Sequence, residues 1–395
     1  MAKTIVYQLW PLAWGSIRLM TAFLTRIRDL GADYVWLSPV YESPRRNHGY
    51  DVSDYYDIDP RLGTMADFDE FVASAHAMGL KVIMDLPIDS TSVEHNWFLT
   101  EPHRYVISKG RNHDHSRKNL LGDSLAWQKT GQDYFLALNH PAQASLNWFN
   151  GGVLNRGLVE CFKKIMSFWL YDHGVDGFRL EFAQLLNSPI DAEPRLEDLL
   201  VGKRAITVVN ELSNLYGQKA PFLIMDCIDP NGKVCEFYGR ETDVEFFTNR
   251  LLRSTDVSRA KTLEGLKKKV ERFAKNPKFM LNLESHDVPR FTTRSGLSGE
   301  KIIDFMFKSP AQAICLYQGQ ELGLKNPENL SIHEILSLDS RKELEHEKIR
   351  ISNETLRRES CANARVPIPL DEYARQECDP DSVLMKTRAA IRDRC

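Results

Sequence analysis

The sequence lacks any long apolar run. No window of about 18 residues is both apolar and free of charge, which is the length that a membrane-spanning helix needs. The N-terminal segment Met1–Tyr7 also has no apolar stretch or small-residue cleavage site of the kind that a signal peptide carries. These absences predict a soluble, cytoplasmic protein without a membrane partner.

The sequence also lacks an excess of either charge, with 51 basic and 54 acidic side chains and a net charge of -3. Such a chain has no broad electrostatic field to attract a polyanion, so no nucleic-acid partner is predicted. Neither a G-x-G-x-x-G nor a G-x-x-x-x-G-K-[ST] motif is present, which argues against a nucleotide-binding enzyme. The 43% of hydrophobic residues is nevertheless ample for a globular core.

Paired cysteines are missing as well. The seven cysteines are widely spaced, and no two of them form a C-x-x-C motif, so neither a zinc site nor a disulfide framework is indicated. We therefore expect reduced thiols, no metal and no cofactor.

Short β-branched runs alternate with amphipathic stretches along most of the chain. This alternation predicts an α/β protein with a parallel sheet, either doubly wound or closed as an eight-stranded barrel. The predicted strands are Thr4 to Leu9, Asp33 to Leu37, Lys81 to Leu86, Gly177 to Leu180, Ala205 to Asn210, a sixth within Pro221 to Tyr238, Lys278 to Leu283, and Ala313 to Tyr317. The predicted helices include Ile17 to Leu30, Met65 to Met78, Leu158 to Tyr171, and one from Ser382 onward.

Two segments interrupt the alternation. Residues 90–150, rich in His, Asn, Gln and Trp, are predicted to form an inserted domain after the third strand, between barrel segments 1–89 and 151–395. The second interruption, Lys325 to Pro380, follows the eighth strand. In a barrel, both would lie at the carboxyl ends of the strands, where active sites form.

Charged side chains lie at or just after the ends of four of the predicted strands. They are Asp85, the pair Arg179 and Glu181, Glu211, and the pair His286 and Asp287. An adjacent arginine keeps a carboxylate ionised, whereas a carboxyl that is shielded from water stays protonated. Glycoside cleavage needs one carboxyl group in each state. Acidic residues also end strands as caps of the following helix, so each carboxylate has a purely structural alternative.

Together with nine short motifs, these residues resemble the α-amylase superfamily, glycoside hydrolase family thirteen. Within it, the sequence is most similar to the branch of oligo-1,6-glucosidase, α-glucosidase and sucrose isomerase. The motifs are Gly49–Tyr56, Gly63–Met65, Asp85–Leu86, Glu94–Phe98, Leu146–Trp148, Gly177–Leu180, His286–Asp287, Tyr317–Glu321 and Asn363–Arg365. The resemblance implies a (β/α)8 TIM barrel with a small B domain after strand three, and retaining cleavage of α-glucosidic bonds.

The resemblance also implies a role for each matched residue. The catalytic set would be Glu211 as the strand-five acid/base, Asp287 as the transition-state stabiliser, and Glu181 at the nucleophile position of strand four. The substrate-binding set would be Arg179 and His286 as orienting groups, Tyr50 and Arg365 lining the first subsite, and Asp85 supporting its base.

Three positions depart from the family pattern. The family nucleophile is Asp, so Glu181 is one methylene longer, a change in reach of roughly 1.5 Å where the two carboxyls of a retaining enzyme are held about 5 to 5.5 Å apart. Asn47 replaces the acid of an Asp-Asn-Gly-Tyr motif, and Ser90 replaces a histidine that follows strand three. The first subsite is therefore altered at Asn47, Ser90 and Glu181, whereas its other matched residues are kept.

Two further absences stand out against the family. The loop after strand one, Trp10–Ser16, lacks the Asp and Asn residues of a calcium site, and the sequence ends at Cys395 without the usual all-β C-terminal domain. Two functions remain open. The first is a retaining α-glycoside hydrolase or transglycosylase of altered specificity, and the second is a non-catalytic member that binds sugars or acts as a scaffold.

Overall fold

The computed structural model describes residues 2–110, 118, 125–187, 202–215, 220–229, 231–253, 263–328, 330–331 and 360–393. Its centre is a barrel of eight parallel strands. They are β1 (Thr4–Leu9), β2 (Tyr34–Leu37), β3 (Lys81–Pro87), β4 (Gly177–Glu181), β5 (Phe222–Cys227), β6 (Phe246–Asn249), β7 (Met280–Asn282) and β8 (Ala313–Tyr317). From β1 to β6 each strand pairs with the next, β7 pairs with β8, and β1 pairs with β8, which leaves β6 and β7 at the two ends of the sheet.

The barrel closes between β6 and β7. A parallel bridge joins Phe247 to Phe279, and the Phe247 backbone N–H donates to the Lys278 carbonyl at 2.8 Å. The prediction of a closed eight-stranded barrel is thus confirmed. Inside the barrel, a cluster of buried apolar side chains fills the space between the strands; it consists of Val6, Trp36, Ile83, Ile224, Met280, Ala313 and Cys315.

One helix follows each strand and packs on the outside of the barrel. The helices are α1 (Ile17–Leu30), α2 (Met65–Ala77), α3 (Arg156–Ser167), α4 (Lys203–Ser213), α5 (Lys233–Glu241), α6 (Leu263–Phe273), α7 (Gly299–Lys308) and α8 (Val383–Arg392). Capping side chains mark where several of these helices begin. At α1 the hydroxyl of Ser16 accepts a hydrogen bond from the Arg18 N–H, and at α2 Thr64 and Asp67 form a reciprocal capping box. These helices thus cover the outer face of the sheet.

The predicted strand at Ala205 to Asn210 is wrong, because this segment belongs to α4. Its β-branched residues suggested a strand, but Ala205, Val208, Val209 and Leu212 follow helical spacing and are all buried on one face. The segment Pro221 to Tyr238, predicted to hold strand six, instead contains β5 and α5. The true sixth strand, Phe246–Asn249, was not predicted.

The chain between β3 and β4 forms small antiparallel pairings. Ser90–Ser92 pairs with Gln143–Ser145, Ile107–Ser108 and Trp127–Thr130 flank Asp133–Leu136, and Phe149–Asn150 pairs with Val153–Leu154. The boundaries of an inserted domain at 90 and 150 stay a prediction. Residues 332–359 of the second predicted interruption lie outside the described residues.

Shorter elements complete the described chain. Tyr41–Glu42 pairs with Asp54–Ile58, and short α-helices span Pro11–Trp14, Asn96–Thr100, Arg250–Arg253, Phe291–Ser295 and Leu370–Glu377. Single 3-10 turns span Pro102–Arg104, Ala183–Asn187, Gln320–Leu322 and Cys361–Ala364, and α3 continues as a π-helical turn over Phe168–Asp172. Several of these elements lie next to a strand end and place side chains at the site described below.

Candidate active site

The guanidinium of Arg179 lies at the centre of a buried ionic cluster at the carboxyl ends of β3, β4 and β5. Its Nη1 donates to Asp85 Oδ1 at 2.7 Å, its Nη2 donates to Asp226 Oδ2 at 2.5 Å, and it also contacts Glu181. All four side chains are at most 6% exposed. A buried arginine that pairs with carboxylates from three adjacent strands fixes the side-chain positions at this edge of the barrel.

Asp226 is the carboxylate at the end of strand five, and the sequence analysis missed it. Besides its contact with Arg179, its Oδ1 accepts a hydrogen bond from the Thr248 hydroxyl of β6 at 2.5 Å. The motif that could have identified Asp226 is the apolar run Phe222–Met225 ending in an acid, the same pattern that drew attention to Asp85.

Glu211 occupies a different part of the molecule from the one predicted. It lies on α4, where Arg156 Nη1 donates to its Oε1 at 2.5 Å and Lys163 Nζ lies 3.5 Å from its Oε2. Partial burial acts to raise its pKa, but the hydrogen bond and charge of Arg156, with the charge of Lys163, hold that pKa below its ordinary value. The acid/base prediction for Glu211 depended on a strand from Ala205 to Asn210, and the structure has a helix there instead.

The end of β7 places His286 and Asp287 beside the same cluster. The His286 ring stacks on Trp10, with ring centroids 4.3 Å apart, and on Tyr50, with ring centroids 5.4 Å apart. His286 Nε2 lies 3.3 Å from Asp287 Oδ1. Arg365, which follows the 3-10 turn Cys361–Ala364, also reaches this point: its Nε donates to the His286 carbonyl at 2.9 Å, and its Nη2 lies 4.0 Å from Asp287 Oδ1.

Tyr50 and Asp85 support one wall of this region. The Tyr50 hydroxyl donates to Asp85 Oδ2 at 2.8 Å. Burial, together with the negative charge of Asp85, raises the pKa of Tyr50 well above its ordinary value, so the phenol stays protonated as a donor. The structure thus brings together Tyr50, Asp85, Arg179, Glu181, His286, Asp287 and Arg365 from the predicted set.

Asn47 and Ser90 lie together, joined by a side chain that the sequence analysis did not select. Asn47 Nδ2 donates to Gln143 Oε1 at 2.7 Å, while Gln143 Nε2 donates to the Tyr50 carbonyl at 2.9 Å and to Ser90 Oγ at 3.2 Å. Next to Ser90, Asp89 is fully buried, and burial raises its pKa to about 6 against the opposing hydrogen bond from the Ser90 hydroxyl. The two altered positions are therefore linked by one amide.

A third residue that was not predicted, Arg250, lies among the carboxylates. It follows β6 directly, and its Nη1 is 3.3 Å from Asp287 Oδ2, 3.8 Å from Glu181 Oε1 and 3.8 Å from Asp226 Oδ2. Its guanidinium carbon lies 4.4 Å from the ring centroid of Phe182, the residue after Glu181. Carboxylates from three different strand ends therefore surround one nitrogen atom of the Arg250 guanidinium.

Across the described residues, no group of three or more His, Cys, Asp or Glu side chains is arranged to hold a metal ion. None of the six cysteines that the structure describes forms a disulfide. Within the same part of the chain, no helix combines the length and the apolar character that crossing a membrane requires.

Comparison with known families agrees with this arrangement. The family described as "Alpha amylase, catalytic domain" matches residues 11–376. The chain belongs to the α-amylase family. Trehalose-6-phosphate hydrolase of Escherichia coli K12 is 29% identical over 386 residues, which cover 85% of this chain and 68% of the relative. Oligo-1,6-glucosidase of Parageobacillus thermoglucosidasius is 38% identical over 205 residues, covering 47% of this chain and 35% of the relative.

Solved structures show the same fold. A trehalulose synthase variant in complex with Tris superposes with a TM-score of 0.86 at 21% identity, covering 99% of this chain and 83% of that one. Trehalose-6-phosphate hydrolase of Bacillus licheniformis superposes with a TM-score of 0.83 at 24% identity, covering all of this chain and 83% of that one. The predicted similarity to the oligo-1,6-glucosidase and α-glucosidase branch of the α-amylase family is confirmed.

Proposed function

We propose that this α-amylase family member binds the glycone of an α-glucoside at the carboxyl ends of β4, β5 and β7, and hydrolyses or transfers it with retention of configuration. The observation that carries the proposal is the convergence of three carboxylates, from Glu181, Asp226 and Asp287, within 4 Å of one nitrogen atom of Arg250. Carboxylates that surround a single point suit a reaction in which positive charge develops at one carbon atom.

The roles follow from the strand ends. Glu181 at the end of β4 would attack the anomeric carbon while the bond to the leaving oxygen breaks, and the carboxyl of Asp226 would give its proton to that oxygen. The glycosyl ester on Glu181 would then react with water or a sugar hydroxyl, whose proton passes to Asp226 as the ester bond breaks. Asp287 would stabilise the charge that develops in both steps, and Arg179 would orient the two reacting carboxylates.

In this proposal the two reacting side chains have exchanged lengths relative to the family. The resemblance implies Asp on strand four and Glu on strand five, whereas this chain has Glu181 and Asp226. The Glu181 carboxyl therefore lies about 1.5 Å, one carbon–carbon bond, further from its backbone than the Asp of the family does. The Asp226 carboxyl lies closer to its backbone than the Glu of the family by about the same length. Together with Asn47, Ser90 and Gln143, the exchange supports altered specificity for the sugar or its linkage.

A second candidate function, sugar binding without catalysis, is favoured by the contacts of Asp226. Both of its carboxylate oxygens are engaged, one by the Arg179 guanidinium and the other by the Thr248 hydroxyl. A charged partner at hydrogen-bond distance favours the ionised form, whereas a general acid must carry a proton. If these contacts persist when a sugar binds, the leaving oxygen would have no proton donor on β5.

One experiment separates the two functions. The full chain is incubated with an aryl α-glucoside and with sucrose, isomaltose and trehalose 6-phosphate, beside the Glu181→Gln variant, and sugar binding is measured by calorimetry in parallel. Product release by the parent, reduced by about 100-fold or more in the variant, supports the enzyme. Binding of a sugar without product release from any substrate supports the non-catalytic function, and neither binding nor release excludes both.

A further inference from the structure

The position of Arg250 has a consequence beyond the proposed reaction. We propose that its guanidinium occupies the place of the sugar's anomeric centre, and that Arg250 must withdraw before a glycone enters the first subsite. Arg250 is thereby a gating residue that determines what this site admits. The inference rests on the proposed function, because it takes Glu181, Asp226 and Asp287 as the residues that surround the bound sugar.

The contacts of Arg250 with the carboxylates are longer than those of Arg179. Its Nη1 is buried and has no hydrogen-bond partner among the described residues, although three carboxylate oxygens lie 3.3 to 3.8 Å away. Arg179 differs, because it donates directly to Asp85 and Asp226 at 2.7 and 2.5 Å. Direct hydrogen bonds therefore fix the position of Arg179, whereas longer-range charge attraction and packing hold Arg250.

Phe182 packs against the Arg250 guanidinium. Its backbone φ of 45° lies in the left-handed region, which is strained for a bulky residue, and it directly follows Glu181. This conformation accompanies the placement of the ring under the Arg250 guanidinium, 4.4 Å from its central carbon, in a cation–π contact. A strained residue beside the strand-four carboxylate thus supports the cation at this position.

The chemistry of the reaction is incompatible with Arg250 in this position. Glycoside cleavage builds positive charge at the anomeric carbon, and a fixed guanidinium at the same point would repel it. A positive charge beside a carboxyl also favours its ionised form, which opposes proton donation by Asp226. Since Arg250 begins the short helix Arg250–Arg253 directly after β6, rotation of its flexible side chain is enough to clear the point without moving the barrel.

A ligand that replaces the charge of Arg250 tests this inference without requiring turnover. The probe is 1-deoxynojirimycin, a glucose-shaped amine, and its affinity for the full chain is measured by calorimetry at mildly acidic pH, where the amine is protonated. The variants are Arg250→Ala and Arg250→Gln, which remove the cation, Arg250→Lys, which keeps it, and Arg240→Ala, whose side chain is 70% exposed, as a surface control. Melting curves establish that each variant is folded.

We expect Arg250→Ala and Arg250→Gln to bind the probe at least about tenfold more tightly than the parent, since both the obstruction and the competing charge are gone. Arg250→Lys and Arg240→Ala should stay within about threefold of the parent. Unchanged or weaker binding by the Ala and Gln variants would overturn the inference while leaving the proposed function standing. Absence of binding by every protein would overturn both.

Discussion

Glu181 and Asp226, on neighbouring strands of the barrel, both contact the guanidinium of Arg179. This shared partner couples the two residues, because a change in the length or charge of one alters how Arg179 holds the other. It also defines the pair on which the proposed reaction depends. Glu211, by contrast, lies on the outer helix α4 and pairs with Arg156 and Lys163.

The first prediction separates Asp226 from Glu211. If the protein cleaves α-glucosides, Asp226→Asn should reduce kcat/KM on substrates with poor leaving groups by about 100-fold or more, because it removes the proton donor. An activated aryl glycoside needs less protonation and should be affected less. Glu211→Gln should change kcat/KM by less than about twofold and the free energy of unfolding by no more than ~1 kcal/mol, as expected for a partly exposed ion pair. A large loss of activity in Glu211→Gln alone would contradict the account.

The second prediction concerns side-chain length. Glu181→Asp should raise the rate of α-glucoside hydrolysis by about tenfold if the longer side chain overreaches the anomeric carbon. Because Asp226 is shortened in the opposite sense, the double variant Glu181→Asp with Asp226→Glu should exceed the product of the two single effects in a double-mutant cycle. If both single variants and the double variant are slower than the parent on every α-glucoside, the parent lengths are instead fitted to a different sugar.

The third prediction is a pH dependence of stability that arises from Asp89. Its folded pKa of about 6 lies above the ordinary value of 3.8, so its contribution to stability is present below pH 4 and is lost as the pH rises toward 6. Asp89→Asn does not titrate, so its stability relative to the parent should increase by up to ~3 kcal/mol between pH 4 and pH 7.

Urea unfolding at both pH values measures this difference, with the exposed Asp381→Asn as the matched control. Equal differences between Asp89→Asn and the parent at the two pH values would show that Asp89 is not held in its neutral form by burial.

The fourth prediction is that the fold does not depend on a bound metal. The loop Trp10–Ser16 carries no acidic side chain, and among the described residues no three or more His, Cys, Asp or Glu side chains are grouped to hold an ion. Prolonged treatment with EDTA should therefore leave Tm within about 2 °C of the untreated protein. A fall in Tm that added calcium restores, and added magnesium does not, would show a calcium site that the sequence does not indicate.

The parts of the fold that sequence predicted correctly are those with a simple pattern. Thr4–Leu9, Lys81–Pro87 and Ala313–Tyr317 are apolar runs in the barrel, and Ile17–Leu30 ends at a glycine with φ of 93°. The prediction failed at Lys203–Ser213, where β-branched residues at helical spacing had two consistent interpretations. Burial against the barrel, which no local pattern contains, decides between them.

The candidate site was predictable to the extent that strand ends and family motifs mark it. Arg179, His286 and Asp287 lie where both signals place them. Gln143 carried neither signal, because its partners lie on other loops and become neighbours only when the chain folds. Arg250 directly follows β6, but that strand was not predicted, so its end gave no signal. Asp226 was missed for a different reason, since Glu211 had already been assigned to strand five.

The measurement that tests the central claim most directly is covalent trapping of the strand-four carboxylate. The protein, as parent and as Arg250→Ala, is incubated with 5-fluoro-α-glucosyl fluoride, whose ester intermediate breaks down slowly, and is then digested for peptide mass spectrometry. The account predicts one fluoroglucosyl group on Glu181, absent from Glu181→Gln and accumulating faster in Arg250→Ala. A label on Asp226 or Glu211, or no label on either protein under conditions where aryl glucosides are hydrolysed, would contradict it.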